Sequence, residues 1–343
     1  GLIALTAGSE LNLKALRPRL RSVLYVSACA LPLALGLTTL LVRLLSGRLP
    51  FMAGMTGIQQ WTAALTLGVI FASLSPAVTI ALLSETGSEG PVSETALGVV
   101  VLADIVIIVL FTAVHAVGAG VFGVTGEDLS PVVKLALEIF GSMGVGVLVA
   151  VALWAYHRYV RDHLALFILA VCVVSAEVGT RLHLDALLIC LTAGLLLENV
   201  LGVRGATIAR TLGPASLPIF AVFFALAGAR LHLHDLQVLW PLALAFALVR
   251  AGSLLGGARL GARLAKAEPA VVTWGPLAMV SQAGVSVGLA ELLARHFPSW
   301  GPGARGLVLA VVTLNELVGP VLFRLALTRS GEAGKREAGH ADH

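Results

Sequence analysis

Long apolar runs dominate this sequence and leave few architectures open to it. Runs of about 20 apolar residues, the length of a helix that crosses the hydrocarbon core of a bilayer, follow one another along the chain. Of the 343 residues, 58% are hydrophobic and 12% are charged, whereas a soluble domain carries about 25% charged residues. Because only helices and closed barrels satisfy their backbone inside lipid, the runs predict an all-α polytopic membrane protein.

Ten runs are long enough to be full transmembrane helices, after a partial helix that ends near Ser9. They cover residues 22–45, 61–84, 93–121, 132–155, 163–180, 184–199, 211–229, 236–258, 270–294 and 305–327. All five tryptophans lie at or just beyond the ends of these runs, where aromatic side chains anchor helices at the membrane interface. Lysine and arginine are in excess on the side of the first loop and the C-terminal tail. This excess predicts a cytoplasmic C-terminus, and we expect a bacterial inner membrane.

Neither the basic residues nor the cysteines indicate a nucleic-acid partner or a resident metal. The net charge is +4, but the basic residues lie between apolar runs and not on one face, so we predict no nucleic-acid binding. Cys29, Cys172 and Cys190 fall within apolar runs and form no CxxC pattern. The GxSxG stretch 284–288 lies in a span and not at the strand–helix turn that a hydrolase nucleophile needs. We expect no enzyme activity, no cofactor and no metal beyond a transported cation.

Two predicted spans contain helix-breaking residues near their middle. In 61–84, Pro76 lacks an N–H and clashes with the preceding turn, so the helix should open there. Unwound backbone at that depth is tolerated only where it is buried in protein or lines a wet cavity, and a pair of such breaks indicates a transport site. The residues concerned are Ser73, Ser75, Pro76 and Thr79 in the first break, and Ser281, Gln282, Gly284 and Ser286 in the second.

The two halves of the chain have a similar layout. Each broken span follows a long apolar span and is followed, one loop later, by a long span with polar groups. These groups are Asp104 in the first half and Asn315 with Glu316 in the second. Two repeats that each hold an odd number of spans enter the membrane in opposite directions, so the layout predicts inverted repeats.

Several ionisable groups within the predicted spans require an explanation, because a charge in lipid costs a few kcal/mol or more. Those singled out are Asp104, Glu177, Arg250 and Glu316, with His115. Glu177 and Glu316 lie close enough to a boundary to reach the interface, and they are secondary polar candidates. Asp104 and Arg250 form either a structural ion pair or part of a functional site. A carboxyl group removed from water holds its proton to higher pH than an exposed one, so we predict that Asp104 exchanges a proton for a cation.

At these residues the chain resembles a known superfamily, the monovalent cation/proton antiporters of the Kef/Nap type. The similar stretches are, in order, ASLSPAVTIALLSE, GVVVLADIVII, FFALAGARLHL, LVRAGSLLGGARLGARL and VSQAGVSVGLAELLA, and the opening LTAGSELNLKALR resembles the end of an early helix of that superfamily. The resemblance covers essentially all of residues 1–329. It implies two crossing broken helices, a core that moves against a scaffold, and a homodimer. It also implies that further helices precede Gly1 and that the chain is N-terminally truncated.

The same resemblance implies a division of the chain into functional segments. Residues 1–21 would be the end of an early helix and a cytoplasmic loop. Residues 22–121 and 236–327 would be the two halves of the core, or transport, domain, and 132–229 the scaffold and dimerisation helices. Residues 328–343 would form a polar cytoplasmic tail.

Site residues are carried over one by one from this resemblance. Asp104 matches the superfamily's cation- and proton-binding aspartate, and Arg250 matches the basic residue that faces it. Ser75, Pro76 and Thr79 match the first breakpoint, and Ser281 to Gly284 match the second. The implied partners are therefore a monovalent cation, a proton and the lipid bilayer.

One departure from the superfamily pattern affects the expected activity. The residue before the aspartate is commonly Asp, Asn or Gln, whereas here it is Ala103. A lone carboxylate favours one-for-one exchange and leaves Na⁺ and K⁺ both open. The resemblance implies cation/proton exchange that serves pH homeostasis. The alternatives are a ligand-gated K⁺ efflux system and a transport-inactive sensor on the same fold.

Overall fold

The part of the chain that the structure describes is helical and contains no β-strand. The computed structural model describes residues 2–10, 17–123, 131–160, 162–182, 184, 186–203, 208, 211, 233–282 and 284–335. Its α-helices are α1 (Leu2–Glu10), α2 (Leu20–Leu44), α3 (Gly57–Ala72), α4 (Pro76–Glu85), α5 (Pro91–Val121), α6 (Pro131–Tyr159), α7 (Leu164–Leu182), α8 (Ala186–Asn199), α9 (Leu233–Leu264), α10 (Pro269–Trp274), α11 (Gly284–His296) and α12 (Gly301–Arg329). Short 3₁₀ turns occupy Arg17–Arg19, Ser46–Arg48, Pro50–Met52 and Gly275–Met279.

Six helices among the described residues are long and apolar enough to cross a membrane. They comprise Arg17–Leu44, Pro91–Val121, Phe140–Tyr159, Leu164–Leu182, Leu239–Leu264 and Gly301–Arg329. Two further predicted spans, 61–84 and 270–294, are each divided into shorter helices, and 211–229 falls almost wholly outside the described residues. The prediction of an all-helical membrane protein is thus confirmed, while the count of ten spans and the inverted repeats stay predictions.

Large apolar side chains cover much of the surface of these helices. Leu44 and Phe140 are each 72% exposed and Leu148 is 69% exposed. A soluble monomer rarely exposes broad apolar areas, whereas a lipid bilayer covers them at no hydrophobic cost. The outer surface therefore agrees with an integral membrane protein.

Contacts divide the chain into two compact units. One holds Gly1–Arg17 and Leu129–Ala229, and the other holds Pro18–Asp128 and Arg230–His343. In the first unit α8 packs against both α1 and α6, around a core that includes Leu5, Cys172 and Cys190. All three cysteines of the chain are free thiols.

In the second unit, α2 packs against α9 and α3, and α9 in turn packs against α12. Local sequence fixes where several of these helices begin. Thr56 and Gln59 form a capping box at the start of α3, and a proline occupies the first turn of α4, α5 and α10. Proline is favoured there because the first N–H groups of a helix have no partner within it. The roles of core and scaffold that the sequence suggested for these regions stay predictions.

Candidate functional site

The first interruption separates α3 from α4 at residues 73–75. Ser73 (φ −66°, ψ 149°) and Ser75 (φ −113°, ψ 103°) are extended, the conformation that a residue before proline prefers. Ser73 Oγ donates to the Ile70 carbonyl at 2.7 Å, and Ser75 Oγ accepts from the Val78 N–H at 3.2 Å. The two hydroxyls thus satisfy polar groups at the open ends of both helices. The helix is interrupted where Pro76 predicted it.

The second interruption follows α10 and the 3₁₀ turn Gly275–Met279 and ends where α11 begins at Gly284. Ser281 and Gln282 are almost fully buried in it. Its backbone lies against α12 at Gly319, where an added Cβ would lie 2.7 Å from Ser281 Cα and 2.7 Å from Ser281 Oγ. A side chain at this position would displace the interruption, so only glycine permits so close an approach.

The two interruptions meet through side chains. Ser73 Oγ and Ser286 Oγ, from the first and second interrupted segments, lie 2.5 Å apart. Gln282 Nε2 donates to the carbonyl of Ile70, in the last turn of α3, at 3.2 Å. Because these contacts join positions more than 200 residues apart, they place the two predicted breaks at one buried site.

Arg250 of α9 holds this meeting point together. Its side chain is fully buried, and Nε donates to the Phe71 carbonyl, Nη2 to the Ser73 carbonyl and Nη1 to the Val280 carbonyl, each at 2.7 Å. One acceptor lies in the last turn of α3, one in the first interruption and one in the second. The planar guanidinium, with five N–H donors in a fixed fork, suits several acceptors at once.

This arrangement shows how the charge of Arg250 is compensated. A guanidinium within a membrane span needs a carboxylate or a set of carbonyls, and three carbonyls surround it here. The pairing of Arg250 with Asp104 that the sequence suggested stays a prediction. No sequence signal identified the carbonyls, because every residue has one. The available hint was an arginine in a predicted span, 236–258, that holds no acidic residue.

Unused hydrogen-bonding groups remain near the interruptions. Thr79 Oγ1 and Ser281 Oγ are buried, and neither has a hydrogen-bond partner among the described residues. Asn315 Nδ2 donates to Gln282 Oε1 and to the Val311 carbonyl, each at 3.0 Å, which ties α12 to the second interruption. Hydroxyl and carbonyl oxygens are the ligands that hard cations prefer. The site therefore contains oxygen atoms that a partly dehydrated cation could use.

Asp104 lies on α5, which packs against α3 and against the 3₁₀ turn Gly275–Met279 that precedes the second interruption. The residue is half-buried, and its Oδ1 atom is inaccessible to solvent. The helix that carries the carboxylate thus borders both interrupted segments.

The two secondary candidates lie in different places. Glu316 follows Asn315 on α12 and is half-buried. Glu177 lies on α7 of the other unit, where it is exposed and accepts a hydrogen bond from Arg181 Nε at 2.7 Å. This i,i+4 ion pair accounts for the presence of Glu177 in an apolar helix. At the meeting point Ser73 contacts Ser286, Gln282 contacts the last turn of α3, and Asn315 contacts Gln282, while Glu177 belongs to the other unit.

Comparisons with known proteins agree on one class. The family described as "Sodium/hydrogen exchanger, transmembrane" matches residues 2–328. Among solved structures, the sodium proton antiporter MjNhaP1 from Methanocaldococcus jannaschii at pH 8 is similar, with 19% identity, a TM-score of 0.64, and coverage of 96% of this chain and 84% of that chain. An electron-microscopy structure of the same antiporter gives 18% identity, a TM-score of 0.72, and coverage of 96% and 83%. No curated protein matches the sequence significantly. At this identity, the structural likeness concerns the fold.

Proposed function

The chain belongs to the sodium/hydrogen exchanger family, and from this premise we propose that it exchanges Na⁺ or K⁺ for H⁺ by alternating access, with Asp104 as the shared cation and proton site. Family membership supports cation/proton antiport as the class of activity. The choice of Asp104 rests on its place in the sequence and on the packing of α5 against α3, α4 and the 3₁₀ turn Gly275–Met279, which flank the interruptions.

One observation carries the proposal: two interrupted helices meet at a buried site that Arg250 holds through three backbone carbonyls. Irregular backbone is costly within a membrane unless it lines a site or a cavity. Two hydroxyl oxygens, Thr79 Oγ1 of α4 and Ser281 Oγ of the second interruption, are buried without hydrogen-bond partners among the described residues. A protein that needed only a packed bundle would gain nothing from this arrangement.

In the proposed cycle, the carboxylate of Asp104 carries either a proton or a cation, but not both. A cation would bind the ionised carboxylate, and oxygen atoms of the interruptions would replace part of its hydration shell. Proton binding would release the cation, because the neutral carboxyl group attracts it far less. One carboxylate gives one cation for one proton. Arg250 would keep the two interruptions in a fixed relation while the site changes the side on which it is open.

The wider architecture follows the same proposal. Residues 22–121 and 236–327 would form the moving core, and 132–229 the scaffold through which two copies associate. The loop before α2 and the C-terminus would face the cytoplasm, because basic residues are in excess there. Cation binding would then compete with protonation at whichever side is open, and this competition couples the two gradients.

The test is cation-driven proton flux in proteoliposomes that contain the wild type, Asp104→Asn or Asp162→Asn. The amide is close in volume to the carboxyl group but carries no charge, so Asp104→Asn should fold and lose flux driven by Na⁺, K⁺ or Li⁺. Asp162 is exposed between α6 and α7, so the same change there should leave the flux unaltered. Wild-type flux in Asp104→Asn would remove Asp104 from the mechanism. An absence of flux in the wild type with every cation would favour a transport-inactive sensor, and downhill K⁺ flux without proton movement would favour an efflux system.

A further inference from the structure

The segment that follows α12 contains a buried carboxylate whose burial no sequence motif predicts. Glu332 is 1% exposed. Its Oε1 accepts from the Val92 N–H at 2.7 Å, and its Oε2 accepts from the Ser93 N–H at 2.8 Å and from Ser93 Oγ at 2.7 Å. All three donors belong to the first turn of α5, the helix that carries Asp104.

This carboxylate replaces a cap that α5 does not have. The residue at the N-cap position is Gly90, which offers no side chain. Its φ of +152° is unfavourable for other residues, and an added Cβ would lie 2.6 Å from Glu332 Cδ. Helix N-termini favour an anion because their first N–H groups are unpaired and the helix dipole is positive there. Glu332 thus occupies the place of a capping side chain, although about 240 residues separate it from its donors in sequence.

Backbone contacts fix the position of Glu332. Its carbonyl accepts from the Glu89 N–H at 3.2 Å, and the Gly334 N–H donates to the Thr86 carbonyl at 2.9 Å. Its own N–H donates to the Leu327 carbonyl of α12 at 3.0 Å. The segment 330–335 is therefore attached to the last turn of α12 and to the loop between α4 and α5.

We propose that Glu332 is a positioning residue for ion exchange: it ties the start of α5 to the end of α12 and thereby fixes the axial position of Asp104 relative to the interruptions. This inference rests on the proposed function of Asp104. On α12, Asn315 donates to Gln282 of the second interruption. At 1.5 Å per residue, Asp104 lies about 18 Å along α5 from Val92, and Asn315 lies about 21 Å along α12 from Arg329. The tie therefore joins both helices at similar distances from the site.

Loss of the tie affects binding more than folding. Both helices keep their apolar packing, but the first turn of α5 loses three hydrogen bonds and can fray or shift. A binding site tolerates such shifts poorly, since a displacement of about 1 Å can cost on the order of 100-fold in a reaction that depends on alignment. The expected signature is a weaker apparent affinity for the cation with a largely retained maximal rate.

The experiment compares the wild type, Glu332→Ala, Glu332→Gln and a matched control, Glu89→Ala. Glu89 lies in the same region, but its side chain is exposed, and its hydrogen bond to the segment comes from the backbone N–H, which the substitution keeps. In proteoliposomes, Glu332→Ala should raise the half-saturating cation concentration about tenfold. Glu332→Gln, which retains one acceptor oxygen, should raise it less, and Glu89→Ala should leave it unchanged. A purely structural role would lower the amount of active protein, and so the maximal rate, without this change in affinity.

Amide hydrogen exchange of the first turn of α5 supplies the second readout. Exchange at Val92 and Ser93 should be faster in both Glu332 variants. Faster amide exchange with an unchanged half-saturating concentration would overturn the positioning role and leave only a helix cap. Unchanged amide exchange would overturn the contact itself. If Glu332→Ala fails to fold, Glu332→Gln decides by the same criteria. Wild-type protein without ion exchange would overturn the proposed function, whereas amide exchange would still test the tie.

Discussion

A single buried side chain, Arg250, connects the interrupted segments of this protein. Its three acceptors are the backbone carbonyls of Phe71, Ser73 and Val280, which lie in or next to the interruptions. A helix end buried without a partner for its carbonyls is unfavourable, and so is a guanidinium buried without acceptors. Each group therefore offsets the cost of burying the other. The three acceptors are carbonyl oxygens that neither gain nor lose a proton in the working pH range, so proton binding does not remove the acceptors of this contact.

Substitution of Arg250 tests whether its charge serves only the three carbonyls or also faces Asp104. Arg250→Ala should lower the free energy of unfolding by about 3–5 kcal/mol, because it leaves buried acceptors unpaired. Arg250→Lys should cost less, although one ammonium group cannot reproduce the fork. Arg259 lies on the same helix but is exposed, so Arg259→Ala is the matched control and should change little.

The pH profile of exchange complements the melting temperature for these variants. If Arg250 acts only through the carbonyls, its loss should lower the melting temperature and leave the pH profile in place. If Arg250 also faces Asp104, its loss should move the profile to higher pH, since the carboxylate would lose a neighbouring positive charge. An unchanged melting temperature in Arg250→Ala would contradict a stabilising role for the contacts between Arg250 and the three carbonyls.

The two helix interruptions follow from local chemistry, whereas the contact between them does not. Pro76 lacks an N–H, and the serines before it bind polar groups at the open helix ends, so this stretch separates α3 from α4. The contact between the two interruptions depends on α12, which carries Asn315 toward Gln282 and presents Gly319 to Ser281. α12 thus positions the second interruption in two ways. Gly319 has no side chain that would keep Ser281 away, and Asn315, one turn earlier, binds Gln282.

Two glycines of α12 allow this role to be tested within one helix. Gly319→Ala would place a Cβ 2.7 Å from Ser281 Cα, so we expect a destabilisation of about 1–3 kcal/mol and a loss of ion exchange as the interruption is displaced. At Gly306 the nearest atom to an added Cβ is Leu239 Cδ1, at 3.9 Å. Gly306→Ala should therefore be neutral or stabilise by up to about 1 kcal/mol through helix propensity. Thermal unfolding in detergent, together with proteoliposome flux, measures both effects. Equal behaviour of the two variants would show that the close approach at Gly319 has no consequence.

For the whole molecule, the sequence predicted what depends on composition and order along the chain. Apolar runs predicted a helical membrane protein, ordered motifs predicted its family, and Pro76 predicted the first interruption. The carbonyl partners of Arg250 escaped prediction because backbone acceptors leave no trace in sequence. Glu332 escaped because it lies in a stretch that reads as a polar tail, and its donors lie about 240 residues away. In both cases the missing information was spatial proximity between distant segments, which periodicity and propensity do not contain.

Charge balance is a property of the complete transport cycle. With Ala103 beside Asp104, the first half offers one carboxylate at the site, so one cation should replace one proton and no net charge should cross the membrane. The rate of exchange should then be the same with the membrane potential clamped at zero and with an imposed potential of either sign. Each elementary charge moved across 100 mV would change the driving force by about 2.3 kcal/mol, so an electrogenic cycle would be readily detected. Acceleration by the potential would mean that a second titrating group takes part. Glu316, half-buried beside Asn315 on α12, is the first residue to examine, and Glu316→Gln should then restore insensitivity to the potential.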